Sequence, residues 1–130
     1  MGLAFSTTAP QDHESACAHV TSLFRGRWLK GYVRGKLRLD PMYEVVFDRL
    51  RGSSLPILDL GCGIGILPYY LRQRGLQSRM IGVDWDAGRI AVAQQVAHGR
   101  PRSDTAEQIV LFFSKHVSFV LSTLVDSNQA

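Results

Sequence analysis

Apolar residues recur at four-residue spacing near the start of the chain, at Ala16, Val20, Phe24, Trp28 and Tyr32, and mark one stripe of a helix. The pattern predicts a helix from about residue 12 to 24, and Gly26, Gly31 and Gly35 predict a bend or a second short helix through Leu37. Asp40 before Pro41 reads as a helix start: the carboxylate caps free N–H groups, and proline takes the first helical position, where its missing N–H costs nothing. Met42, Val45, Val46 and Leu50 supply that helix with an apolar face, and Arg51-Gly52-Ser53-Ser54 breaks it.

Residues 55–60 are short, apolar and followed by a glycine cluster, as a strand buried in a parallel sheet would be. A second strand is predicted at 79–84, between helices at 66–74 and 87–98. Pro68 is tolerated in the first turn of its helix, and Gly75 and Gly99 terminate the two helices. This alternation predicts an α/β fold with a doubly wound parallel sheet of about three strands, preceded by N-terminal helices. The last thirty residues carry two patterns. Asp104 and Glu107 form a capping box ahead of Ile109, Phe112, Phe113, Val117, Val120, Leu121 and Leu124 at helical spacing, whereas β-branched and aromatic residues collect at 116–121 as a third strand would. The chain accordingly divides into a flexible arm at 1–11, a helical segment at 12–54 and the sheet-bearing part at 55–130.

A length of 130 residues bounds the chain to one domain, and 45% hydrophobic with 20% charged residues excludes wholesale disorder. The most apolar stretch, 109–125, is interrupted by Ser114, Lys115, His116, Ser118, Ser122 and Thr123, so no membrane span is expected. The N-terminus has no secretory pattern, and the expected compartment is the cytoplasm. Met1-Gly2 with Ser6 fits a myristoylation signal in form only. Cys17 and Cys62 offer no disulfide framework.

The net charge of +4 is concentrated in Arg25, Arg27, Lys30, Arg34, Lys36 and Arg38, with no acidic residue among them. With Trp28 and Tyr32 interspersed, such a patch would attract phosphates or an acidic ligand. The stronger expectation is basic side chains snorkelling around a helix that buries its aromatics, so nucleic acid is not the expected partner.

The chemistry lies in Ile57 to Gly65, ILDLGCGIG. A strand ends in Asp59-Leu60, glycines alternate through a turn, and a helix begins at once. Glycine permits close backbone approach and positive φ, and a helix N-terminus offers unpaired N–H groups. The dinucleotide pattern G-x-G-x-x-G fails at Ile66, and a phosphate loop at 31–36 fails in both length and its Ser/Thr position.

The segment resembles motif I of the class I S-adenosylmethionine-dependent methyltransferases, matching hydrophobic-hydrophobic-Asp-hydrophobic-Gly-x-Gly-x-Gly at every position. The resemblance implies a Rossmann-like fold, S-adenosylmethionine as cofactor, and Asp59, Gly61, Cys62, Gly63 and Gly65 around its methionine part. Asp84 in IGVDWD stands where the family holds the ribose hydroxyls, a task suited to an acceptor-only carboxylate, and Trp85 stands where an apolar side chain packs on adenine. The bland reading gives these residues to turns and packing alone, with Cys62 a small buried spacer. His13, Cys17 and His19 fall short of a zinc ligand set, so no metal is expected. No residue is nominated as catalytic base, and His98 and His116 lack an identifiable nucleophile partner.

The resemblance covers roughly residues 55–98. A complete family sheet has seven strands, so the chain is expected to be an incomplete or truncated cofactor-binding half with an open sheet edge. A third strand at 117–121 would place the family's next acidic residue near Thr123, which is not acidic, with Asp126 three residues late. The expected function is methyl transfer to a small-molecule acceptor. The alternative is a non-catalytic binding or interaction protein, forming a homodimer through the exposed sheet or the segment at 109–125.

Overall fold

A computed structural model describes residues 9–98 and the strand at 109–113. Helix α1 (His13–Ser22) starts at Asp12, whose carboxylate accepts the Ser15 N–H at 2.8 Å, and it buries Ala16, Cys17 and Val20. The chain then turns through Gly26, at φ 88°, into α2 (Arg27–Leu39).

That turn resets the helical phase. Phe24 stays in the core, but α2 points Val33 and Leu37 inward and leaves Trp28 80% and Tyr32 44% exposed. The expectation that the basic helix buries its aromatics is thus corrected: the five-residue stripe belongs to two helices, and only its first part faces the core. α2 also runs unbroken through Gly31 and Gly35, because the packing of its apolar face outweighs a propensity cost of about 1 kcal/mol per glycine. Helix α3 (Met42–Leu50) begins one residue later than predicted, with Pro41 at its N-cap, and Asp40 Oδ1 accepts the Met42 N–H at 3.0 Å.

Strand β1 (Ile57–Leu60), helix α4 (Ile66–Gln73), strand β2 (Met80–Asp84), helix α5 (Ala87–His98) and strand β3 (Ile109–Phe113) complete the described elements. The strands form a parallel sheet in the order β1-β2-β3, with Asp59 opposite Gly82 and Asp84 opposite Phe113. Two expectations change here. The third strand lies at IVLFF, where a helix was one of the two predictions and a strand at 116–121 the other. A short apolar run without alternation fits a strand or a helix segment, so periodicity alone could not separate the two. Among the described residues the sheet also grows in one direction only, so the reversal that defines double winding is not displayed.

Helix α4 is the centre of the molecule, buried along nearly its whole length. On one side the Tyr69 hydroxyl donates to the Ala93 carbonyl of α5 at 2.9 Å. On the other, Tyr70 meets the Tyr43 ring edge-on at 5.7 Å, and the Arg74 guanidinium lies 4.1 Å over Phe47, which locks the N-terminal helices onto it. Arg72 donates to the carbonyls of Leu76 and Ser78, at 2.7 and 2.8 Å, and so shapes the turn that leads into β2. β1 pairs with no described strand besides β2, and Leu60 at its end is exposed.

No helix among the described residues is long and apolar enough to cross a membrane. The Met1-Gly2 signal, most of the expected arm, the capping box at Asp104 and the segment at 116–121 lie outside the described residues.

Candidate functional site

The carboxyl ends of β1 and β2 lie side by side, and the turn after β1 is pinned to β2. The N–H groups of Gly61 and Cys62 both donate to the Val83 carbonyl, at 2.7 and 3.0 Å. The Gly63 N–H donates to Asp84 Oδ2 at 2.9 Å, and Asp84 Oδ1 accepts the Asp86 N–H at 2.8 Å. Asp84 is buried, so its carboxylate joins the glycine turn to the turn that starts α5.

The glycines divide the labour. Gly65, at φ +87°, initiates α4 where an added Cβ would meet Tyr69 Cε2 at 3.0 Å and the Ala93 methyl at 3.3 Å. Its smallness is a packing requirement between α4 and α5. Gly63 has positive φ as well, but nothing stands within 4 Å of where its Cβ would be. It faces a cavity of about 780 Å³, within the range of small-molecule sites.

Asp59, Gly61, Cys62 and Gly63 form one wall of that cavity, Asp86 with Gly88 and Arg89 of α5 another, and Trp28, Tyr32 and Lys36 of α2 a third. Burial raises the Asp59 pKa, and the nearby Asp84 carboxylate raises it further. Among the described residues nothing donates a hydrogen bond to the Asp59 carboxylate, which leaves it available to a cationic or N–H-bearing ligand. Burial also pushes the Cys62 thiol up to about 12, with Asp59 and Asp84 adding to the effect, so it stays protonated and serves as a small wall residue rather than a nucleophile.

The structure therefore brings Asp59, Gly61, Cys62 and Gly63 together on the cavity and places Asp84 directly behind the turn. Trp85 is 77% exposed and does not line the cavity. Sequence reasoning missed Asp86, which caps α5 by accepting the Arg89 N–H at 3.1 Å and pairs with the Arg89 side chain at 3.8 Å. The signal was present as an Asp at the N-cap position, directly before the first residue of the helix. Trp28, Tyr32 and Lys36 were read as part of a patch that would attract an acidic ligand but not as a wall of this cavity, since no local motif places them there. Among the described residues no cluster of three His, Cys, Asp or Glu side chains converges as a metal site requires, and His13 instead lies 2.8 Å from the Tyr70 hydroxyl.

A cavity at the carboxyl ends of parallel strands, floored by a glycine turn, is where open α/β sheets bind ligands. The magnesium protoporphyrin IX methyltransferase from Synechocystis PCC 6803, solved with bound S-adenosylhomocysteine, is 19% identical over 78% of this chain and 46% of its own, with a TM-score of 0.49. The plantazolicin methyltransferase BamL, solved with a triazolic desmethyl-plantazolicin analogue and S-adenosylhomocysteine, is 16% identical over 85% of this chain and 41% of its own, at 0.47. The chain thus spans less than half the length of either. No match was found among curated proteins. The family profile described as a methyltransferase domain matches residues 57–126, just over half of the chain and including the whole glycine turn, and the chain belongs to that methyltransferase domain family.

Proposed function

We propose that the chain binds S-adenosylmethionine against the glycine turn after β1 and forms the cofactor-binding part of a methyltransferase acting on a small molecule. One observation carries the reading: the Asp59 carboxylate, which accepts no hydrogen bond among the described residues, and the open face of Gly63 lie on the wall of a single cavity at the strand ends. These residues fit the cofactor. Asp59 suits its cationic amino-acid end, Gly63 lets its chain pass close to the backbone, and Asp86 offers a carboxylate on the α5 side. Asp84 holds the two turns in register, a role compatible with contacting ribose hydroxyls once its bond to Gly63 loosens.

When bound, S-adenosylmethionine supplies a methyl group already activated on a sulfonium, so proximity and alignment carry most of the catalysis. The chain's own task is to orient. The pinned glycine turn sets the depth of the site, and Asp59 sets its charge.

Calorimetric titration tests this reading. S-adenosylhomocysteine should bind more tightly than NAD, and Asp59→Asn should weaken it about tenfold or more, the cost of a hydrogen bond to a charged group. Equal affinity for S-adenosylhomocysteine and NAD, or for wild type and variant, overturns the proposal.

A second reading, pairing between copies through the outer edge of β1, is favoured by the exposure of Leu60 there. It requires a dimer in sedimentation that Leu60→Lys converts to monomer. A wild-type monomer at all concentrations rules it out.

A further inference from the structure

Trp28, Tyr32 and Lys36 follow one another at four-residue spacing on α2 and line the same cavity as Asp59 and Gly63. The two rings stack with centroids 5.9 Å apart and planes 5° from parallel. Yet Trp28 is 80% exposed, and the core takes Val33 and Leu37 from another face of the helix. At about 100° per residue the two sets of side chains point roughly a third of a turn apart, so the aromatic pair adds little to the core. A stacked, solvent-facing Trp–Tyr pair leaves flat apolar area in water that a flat ligand would cover.

Charge narrows the ligand further. Lys36 forms no ion pair among the described residues, whereas Arg89 across the cavity is tied to Asp86. Tyr43 connects the aromatic wall to the strand ends. It is buried, it lines the cavity, and its phenol is pushed up to about 12 first by burial and then by Asp40, Tyr32 and Asp59.

We propose that this wall selects the methyl acceptor, a planar aromatic molecule bearing an anionic group, with its ring laid on the Trp28–Tyr32 stack and its charge on Lys36. Calling the ligand an acceptor rests on the methyltransferase reading, whereas the ring-and-anion site rests on α2. Stacking on an exposed aromatic is sequence- and shape-tolerant, so the site reads planarity and charge rather than one particular ring system.

Calorimetry on the full chain, with 2-naphthoate as probe, tests the site. 2-Naphthoate should bind about fivefold or more tightly than cyclohexanecarboxylate, which keeps the charge and loses the plane, and than 2-naphthalenemethanol, which keeps the plane and loses the charge. Trp28→Ala and Lys36→Gln, both at exposed positions, should each lower 2-naphthoate affinity by a similar factor and leave S-adenosylhomocysteine affinity unchanged. Indifference to planarity or charge overturns the site, as does a parallel loss of S-adenosylhomocysteine binding in Trp28→Ala, which would give the pair to the cofactor's adenine. Binding to phosphatidylserine vesicles without binding to 2-naphthoate overturns it in favour of a membrane surface. If S-adenosylhomocysteine fails to bind while the 2-naphthoate pattern holds, the methyltransferase reading falls and the site stands; the reverse result removes the site alone.

Discussion

Gly63 and Gly65 are two residues apart, both have positive φ, and they should fail in opposite ways when a side chain is added. At Gly65 an alanine Cβ would sit 3.0 Å from Tyr69 Cε2 and 3.3 Å from the Ala93 methyl. Neither neighbour is free to yield, since Tyr69 is fully buried and its hydroxyl donates to the Ala93 carbonyl. Overpacking of this kind costs about 1 to 3 kcal/mol, and the left-handed backbone adds about 1 to 2. Gly65→Ala should therefore lose about 2 to 5 kcal/mol, a large share of the 5 to 15 typical of a domain. At Gly63 only the backbone cost applies, because the space around it is open. Gly63→Ala should lose about 1 to 2 kcal/mol and retain its helical content while binding S-adenosylhomocysteine at least tenfold more weakly, since its methyl projects into the cofactor's path. Urea unfolding followed by circular dichroism, with calorimetry on the same samples, reads both effects. The reasoning is refuted if Gly65→Ala unfolds at the wild-type midpoint, or if Gly63→Ala is the more destabilised of the two.

Asp84→Ala should destabilise the chain as well as weaken cofactor binding. It strands the N–H groups of Gly63 and Asp86, each bonded to a charged acceptor and worth about 1.5 to 3 kcal/mol, and an unchanged urea midpoint would contradict that link. Asp59 should carry a pH signature: with its folded pKa raised above the ordinary carboxylate value by burial and by Asp84, the native state holds the proton longer than the unfolded chain, so stability falls as pH rises through that window and stays lower above it. Asp59→Asn should accordingly match wild type below that window and be more stable at pH 7, and a less stable variant at pH 7 would show the carboxylate to be structurally satisfied. Arg72→Met should lower the urea midpoint by an amount equivalent to about 2 to 4 kcal/mol, because two buried carbonyls lose their donor; a midpoint within error of wild type would mean that the turn before β2 does not depend on it.

The parts of the site that could be read from the sequence are those that local backbone requirements specify. A strand, a turn with positive φ at Gly61, Gly63 and Gly65 and an immediate helix can be recognised in nine residues, and Asp84 at the end of the next strand is what the resemblance to the methyltransferase motif implies. What could not be read depends on phase and on distant partners. A single turn at Gly26 rotates α2 so that Trp28 and Tyr32 leave the line of Val20 and Phe24, and no periodicity count that runs through the turn can detect the rotation. β3 lacks an alternating pattern, and a short apolar run of that kind reads equally as helix or strand. Gly65 belongs to the same motif as Gly63, yet its constraint comes from Tyr69 and Ala93, one helix turn and one helix away. Equal membership in a motif therefore does not imply equal function: the pattern identifies which positions must be glycine, and only the surrounding atoms decide whether the reason is a ligand or a neighbour.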